Sequence, residues 1–550
     1  MNATKQLDCV VIGYNELPFE GYESFLRQYG EDSEAYRDLR FSFVELDGRK
    51  MDYVGLLNMV AREAGLLGEG PGADADEFKS GDIPSLAAAF LVNYLRRDGH
   101  SAGYINLFQF EKERLKEYLA ADPLCVAITT TLYVVNLPVN EMVEFIRSHN
   151  PRVKIVVGGP LVANHVRNYE GEELRAALAD MGADIYVVEG QGEKTLSRIV
   201  SALKEGASLG SVPNIIRFVG GEMVRPRTEP ENNSLDEHYI DWRNFPEERL
   251  GPTLQTRTAR SCAFKCSFCN YPTRAGALTL ASTETVEKEL DSMRALGEVQ
   301  NVVFIDDTFN VPLPRFKNLC RMMIKNNYGF NWYSYFRCSN SDEEAFELMA
   351  ESGCKGVFLG IESGSPTILA NMNKAATIER YAKGIEMLRR HGILTFGSFI
   401  VGFPGETAET VEETIDFIRE TRPDYYRAQM WYCEAGTPIQ HQREEFKIEG
   451  QGFVWSHATM DSLEAMDHIE RMFLSVSESV WLPQWSFDFW IIPYLMGRGV
   501  TAEDFRGFMA GAERLLKMEI ASVPAHQKKS LQHEYVQGMI KAASGWKLSA

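Results

Sequence analysis

Cys262, Cys266 and Cys269 fall within eight residues of the stretch RSCAFKCSFCNYP (Arg260–Pro272), and the next cysteine is Cys320. A structural zinc site would need a second ligand pair close by, and Cys320 and His391 sit in different expected elements. The other six cysteines (Cys9, Cys125, Cys320, Cys338, Cys354, Cys433) are scattered singly, which is no disulfide framework and points to a reducing cytoplasm. Inert thiols would not be expected at this density beside Arg260, Lys265 and Arg274. Three thiolates in one tight loop suit an iron–sulfur cube that keeps one iron open for an outside ligand.

Two series of α/β units flank this loop. Before it, DCVVIGYNE (Asp8–Glu16), LCVAITTTLY (Leu124–Tyr133), VKIVVGGPLVANH (Val153–His165) and ADIYVVEGQGEKTLSRIV (Ala183–Val200) alternate with helical stretches. That rhythm predicts a doubly wound, Rossmann-like parallel sheet whose strand-end loops gather at one ligand-binding edge. The stretch from Leu17 to Asp82 interrupts the series before the first convincing helix, and its Gly65–Gly81 portion reads as a surface excursion. NIIRFVGGEMVRPR predicts a hairpin turning at Gly220–Gly221.

After the cysteines, NVVFIDDTFN, FNWYSYFRCS, GCKGVFLGIESG, GILTFGSFIVGFPGET and PDYYRAQMWYCEAGTP are β-rich runs. Amphipathic helices such as Thr283–Leu296 and Thr377–His391 separate them. These repeats predict a partial (β/α) barrel followed by a mainly helical region. The expected domains are 1–205, a connector over 206–252, the barrel over 253–440 and the helical region over 441–550.

The chain has 550 residues and a formal net charge of −20. That charge argues against nucleic acid or an anionic membrane surface as the main partner. No apolar stretch approaches the ~20 residues that span a bilayer.

The C-x3-C-x2-C spacing with Phe268 before the last cysteine resembles the signature of the radical S-adenosylmethionine (SAM) superfamily. The resemblance implies a [4Fe–4S] cluster on Cys262, Cys266 and Cys269, with SAM chelating the fourth iron. It also implies SAM contacts at Phe268, Asp306 in VVFIDDTFN, Arg337 in YFRCS, Glu362 in GIESG and Gly402 in GSFIVGFPGET. IPSLAAAFLVNYLRRDGH, AITTT, IVVGGP and VEGQGEKTL, in that order, resemble the cobalamin-binding domain that precedes the barrel in class B radical enzymes. The implied cobalamin contacts are Tyr14, Asn15, Thr129, Thr130, Thr131, Tyr133, Gly158, Gly159, Glu189 and Gly190. The loop after the first strand, GYNELPFEG, has no histidine. Cobalamin is therefore expected base-off, without a protein imidazole.

In overall look the chain is nearest the phosphinothricin-type P-methylases, with the aminocoumarin pyrrole C-methylases next. That resemblance implies methyl transfer from methylcobalamin to an unactivated carbon or a phosphinate phosphorus of a small biosynthetic intermediate. In such chemistry a 5′-deoxyadenosyl radical abstracts hydrogen. A cobalamin-dependent radical SAM cyclase or oxidoreductase shares every motif and stays open. The implied partners are a small-molecule substrate and a low-potential flavodoxin or ferredoxin, with a homo-oligomer compatible. No residue receives a catalytic role.

Overall fold

The computed structural model describes residues 6–68, 77–79, 82–131, 133–225, 227–245, 250–485 and 487–548. Their contacts separate two compact units. The first comprises Met1–Leu17, Gly81–Gly251 and Thr273–Gly297; the second comprises Pro18–Ser80, Pro252–Pro272 and Glu298–Ala550.

In the first unit five parallel strands, β1 (Cys9–Tyr14), β2 (Ala102–Leu107), β3 (Cys125–Thr129), β4 (Lys154–Gly158) and β5 (Ile185–Val187), lie in the order β2-β1-β3-β4-β5. Val10, Ile12, Ile105, Val126, Ile128, Ile155 and Val157 are buried, as a sheet covered on both faces demands. The order reverses between β1 and β3, and such a switch point opens a crevice at the carboxyl ends of the strands. The expected hairpin forms: β6 (Ile215–Val219) and β7 (Glu222–Val224) pair antiparallel through Gly220 and Gly221, both at positive φ, and extend the sheet beyond β5.

The second unit is built on seven parallel strands in sequential order: β8 (Thr253–Thr256), β9 (Asn301–Phe304), β10 (Asn331–Phe336), β11 (Cys354–Glu362), β12 (Leu394–Val401), β13 (Tyr425–Met430) and β14 (Val480–Trp481). The helices Leu313–Asn326, Glu343–Glu351, Ile378–Arg390 and Ala408–Thr421 lie between strands, giving the partial (β/α) barrel. The helix Thr283–Leu296 forms as expected but groups with the first unit, where Ser292 Oγ accepts from Trp242 N (3.1 Å). The region after Gln440 is mainly helical, with a small antiparallel sheet over Glu449–Asp461, and it contributes β14 to the barrel sheet.

The segment after Leu17 departs from expectation. It holds the helices Phe19–Arg27, Glu34–Arg40 and Tyr53–Glu63 and a hairpin, and it belongs to the second unit rather than to a domain spanning 1–205. Its partners come from the far end of the chain. Arg37 pairs with Asp467 (2.6 Å) and Glu470 (2.9 Å), Ser462 Oγ donates to Glu34 (2.7 Å), and Tyr22 stacks on Trp485 at 4.0 Å. Contacts more than 400 residues apart in sequence leave no local pattern to read. Much of the expected surface excursion, residues 69–76, 80 and 81, lies outside the described residues. Phe78 within it is buried and exchanges two hydrogen bonds with Asn58.

At Gly364, just after β11, a Cβ would stand 2.6 Å from both Thr414 Cα and Phe417 Cβ, and 2.8 Å from Glu413 O. Gly364→Ala is therefore expected to lower stability by roughly 1–3 kcal/mol, read as a shifted urea midpoint at unchanged slope. An unchanged midpoint would show that the two segments separate at no cost.

Candidate functional site

The cysteine loop follows β8 and contains almost no regular structure, so its backbone groups need partners from elsewhere. Three consecutive residues after β9 supply one side. The buried Asp306 carboxylate accepts from Thr258 N (2.6 Å), Thr258 Oγ1 and Ala259 N (2.9 Å). Burial raises the pKa of Asp306, while those donors oppose the shift. Asp307 reaches Tyr271, just past the last cysteine; burial first, then the charge of Asp306, pushes it up to about 6. Thr308 Oγ1 lies 3.5 Å from Cys262 Sγ.

The opposite side is held by the segment after β11. Ser267 N donates to Met372 O (2.8 Å), Ser267 Oγ to Asn371 O (2.9 Å), and Asn373 Nδ2 to Lys265 O (2.7 Å). Asn373 sits at φ +49°, a conformation asparagine tolerates. A third contact comes after β13, where Ile439 N donates to Ser267 O (2.9 Å) and Asn270 Nδ2 to Glu434.

The donor set fits an iron–sulfur group. Burial pushes the Cys269 thiol up to about 11, with smaller contributions from Cys266, Asp307 and Cys262, so the three sulfurs share one field. Thiolates there need a compensating cation, which iron supplies. Among the described residues no three His, Cys, Asp or Glu side chains gather as ligands of a single metal ion.

The expected SAM residues behave differently from one another. The Arg337 guanidinium stacks 3.6 Å from the centroid of Phe264, between the first two cysteines, and its buried Nε and Nη2 have no hydrogen-bond partner among the described residues. Those donors suit a carboxylate. Glu362, at φ +72°, pairs with the buried Lys374 at 2.9 Å. Burial opposes the Lys374 charge, but Glu362 foremost, then Tyr381 and Cys266, hold its pKa above the ordinary value. Lys374 also lies 5.3 Å from the centroid of Phe268, which itself meets Phe403 edge-on at 6.5 Å.

Asp306 is spent on the loop and has a positioning role. Gly402, at φ +87°, is a packing glycine: a Cβ would stand 2.3 Å from Trp455 Cη2 and 2.8 Å from Ala465 Cβ. His457 is structural, with Nε2 3.2 Å from Gly402 O and its ring stacked on Trp455. Thr258, Phe264, Tyr271, Thr308 and Lys374 were not anticipated. Only the paired asparagines of NMNK carried a readable turn signal.

In the first unit the ten expected cobalamin residues divide in two. Asn15, Thr129, Thr130 and Tyr133 are buried; Asn15 Nδ2 donates to Pro138 O (2.8 Å), while its Oδ1 has no hydrogen-bond partner among the described residues. The Tyr133 hydroxyl accepts from Asn15 N (2.6 Å), Thr129 Oγ1 donates to Gly13 O (2.8 Å), and Thr130 Oγ1 donates to Gly158 O (3.0 Å) while accepting from Leu161 N (3.2 Å). Tyr14, Thr131, Gly158, Gly159, Glu189 and Gly190 keep accessible surface along the carboxyl edge of β1, β3, β4 and β5. Burial, then Glu231, raises the Glu189 carboxyl. Gly159, at φ +114°, leaves a ledge where a Cβ would stand 2.8 Å from Thr130 Oγ1. The backbone of Gly158, Gly159 and Gly190, accessible at this edge without side chains, can be approached closely by a large group.

Two family models match the chain: the radical SAM superfamily over residues 256–418 and the B12 binding domain over residues 79–200. The chain is a radical SAM enzyme with an N-terminal B12-binding domain. It is 27% identical over 354 residues to an uncharacterized methyltransferase of Pyrococcus horikoshii, covering 62% of this chain and 74% of that protein. It is 24% identical over 416 residues to the anaerobic magnesium-protoporphyrin IX monomethyl ester cyclase of Rubrivivax gelatinosus, covering 72% and 73%. Its fold is similar to that of the radical SAM methyltransferase TsrM of Kitasatospora setae, solved with cobalamin and a [4Fe–4S] cluster bound. That likeness has a TM-score of 0.55 and 23% identity, over 66% of this chain and 75% of TsrM.

Two outcomes test this geometry. Asp306→Ala strips acceptors from two buried N–H groups and is expected to cost roughly 2–4 kcal/mol. Iron per chain should fall severalfold after reconstitution, whereas Asp306→Asn, which keeps one accepting oxygen, should load near wild type; equal loading of all three proteins would refute the positioning role.

Glu406 is buried and accepts from Gly402 N, and burial pushes its carboxyl from an ordinary 4.5 up to about 8. The folded state therefore holds the proton more tightly than the unfolded chain. Stability is full below pH 4.5 and declines as pH rises to about 8. Glu406→Gln should leave the melting temperature unchanged at pH 5 and raise it at pH 8.5; a parallel pH profile for both proteins would refute this.

Proposed function

We propose that this radical SAM enzyme transfers a methyl group to an unactivated carbon, or to a phosphinate phosphorus, of a small biosynthetic intermediate. The observation that carries the reading is the pairing, in one chain, of the three-cysteine loop with a B12-binding domain. The similarity to a protein named a methyltransferase supports it.

Cys262, Cys266 and Cys269 would hold the cluster, which when bound supplies the electron that splits SAM into methionine and a 5′-deoxyadenosyl radical. Arg337 receives the methionyl carboxylate on its unpaired edge, and the Glu362–Lys374 pair fixes the charge beside Phe268. Asp306, Asn371 and Asn373 hold the loop rigid, so that little reorganisation accompanies electron transfer. Tyr14, Thr131, Gly158, Gly159, Glu189 and Gly190 form the ledge for cobalamin, which when bound carries the methyl group. Asn15, Thr129, Thr130 and Tyr133 set that ledge from behind. Gly13–Gly21 contains no histidine, so this loop would offer a bound cobalamin no imidazole. A low-potential flavodoxin or ferredoxin of the cytoplasm is the reductant.

The similarity to a protein named a cyclase favours a second reading, a cyclase or oxidoreductase that moves no methyl group. An anaerobic assay of the reconstituted protein with dithionite, hydroxocobalamin and SAM separates the two. The expected result is both 5′-deoxyadenosine and S-adenosylhomocysteine, the first abolished by Cys266→Ala and the second by omitting cobalamin. 5′-Deoxyadenosine alone would overturn methyl transfer in favour of the second reading.

A further inference from the structure

Of the three cysteines in the loop, Cys262 alone has a side-chain hydrogen-bond partner among the described residues. Thr308 Oγ1 lies 3.5 Å from its Sγ, and both residues are half-buried. The contact joins two separate segments, the cysteine loop after β8 and the loop after β9.

The position of Thr308 is fixed from both sides. Two residues before it, Asp306 accepts from Thr258 N (2.6 Å) and Ala259 N (2.9 Å), in the stretch that leads into Cys262. One residue after it, Phe309 is buried, donates its N–H to Tyr335 O (3.2 Å) and stacks on Phe304 at 4.3 Å. The Thr308 carbonyl accepts from Val311 N (3.3 Å). The hydroxyl and the sulfur it meets are thus held in place by the same carboxylate.

The hydroxyl has one proton to donate and two acceptors for it. Asp307 O lies 2.7 Å away, and Cys262 Sγ 3.5 Å away. Against a neutral thiol, the carbonyl is the better acceptor. A sulfur bound to iron carries no proton and can only accept. A hydrogen bond to an ionised acceptor is about twice as strong as a neutral one. Rotation about a single bond, Cβ–Oγ1, turns the proton from the carbonyl to the sulfur.

Reduction adds one negative charge to an iron–sulfur cluster, and its ligand sulfurs share that charge. A donor on one of those sulfurs stabilises the reduced form more than the oxidised form and raises the reduction potential. We propose that Thr308 donates its hydroxyl to Cys262 Sγ in the loaded enzyme and makes the cluster easier to reduce. Thr308 is a positioning residue, acting through Cys262 rather than on a substrate atom. The proposal deepens the function proposed above and rests on its assignment of the cluster to Cys262, Cys266 and Cys269.

Anaerobic redox titration of the reconstituted enzyme, followed by electron paramagnetic resonance in the absence of SAM, tests it. Thr308→Val keeps the shape of the side chain and removes the donor. At the wild-type midpoint its ratio of reduced to oxidised cluster is expected to be about tenfold lower, a midpoint about 59 mV more negative for one electron. Thr308→Ser restores the hydroxyl and should recover most of that shift. Equal midpoints for wild type and Thr308→Val overturn the proposal. A Thr308→Ser shift as large as that of Thr308→Val also overturns it, because the effect would then belong to packing. So does a Thr308→Val protein that loads no iron where Thr308→Ser loads it, which would make the hydroxyl an assembly element. Iron per chain in Cys266→Ala is the separate control. Undiminished loading there removes the cluster assignment itself, whereas lost loading together with equal midpoints removes only the role of Thr308.

Discussion

The Asp306 carboxylate, buried beneath the start of the cysteine loop, is the constraint on which the site depends. A segment without helix or strand cannot satisfy its own backbone, and here it is also required to present three sulfurs in one field. It obtains partners only because three strands of a sequential parallel sheet end at the same edge. The loops after β9, β11 and β13 then reach it together, through Asp306 to Thr308, Asn371 to Asn373, and Glu434 to Ile439. The partial barrel therefore supplies hydrogen-bond partners to a loop that makes few of its own, such as Cys269 N to Cys266 O (3.2 Å).

The same edge concentrates buried charge, and the pairings show which group answers which. Lys374 stays charged because Glu362 is 2.9 Å away, and that carboxylate is turned toward it by a register shift at the end of β11, where Glu362 takes a positive φ. Arg337 is stabilised by the face of Phe264, leaving donors open. One cation is thus neutralised within the protein and the other is held ready for an anion. That asymmetry separates Glu362, spent on an internal pair, from Arg337, whose donors stay open, although both were expected to contact SAM.

Much of this was legible in the sequence wherever the information is local. The helix Thr283–Leu296 runs as its apolar stripe and Ser282 cap indicate, the hairpin turns at Gly220–Gly221, and both parallel sheets follow from their β-rich runs. The cysteine spacing alone marks the loop. What was not legible depends on direction and distance. That Asp306 points back at Thr258, and that Thr129 and Thr130 point into the sheet edge rather than out of it, is decided by which loop lies behind each strand end. Glycine is similarly ambiguous. Gly159 opens a ledge and Gly402 admits an indole, and the sequence GG or VGF does not say which.

The segment 18–80 is the largest feature that local patterning could not place, and its contacts explain why it is positioned so firmly. On the helix Glu34–Arg40, Glu34 and Arg37 both bind the helix Ser462–Ser475, and Phe41 just beyond packs against Phe473 and Trp481. A helix fixed at these points cannot shift against the C-terminal segment without breaking several contacts at once. The hydrogen bonds described above for the cysteine loop come from the loops after β9, β11 and β13 and not from segment 18–80, so the segment can vary without disturbing them.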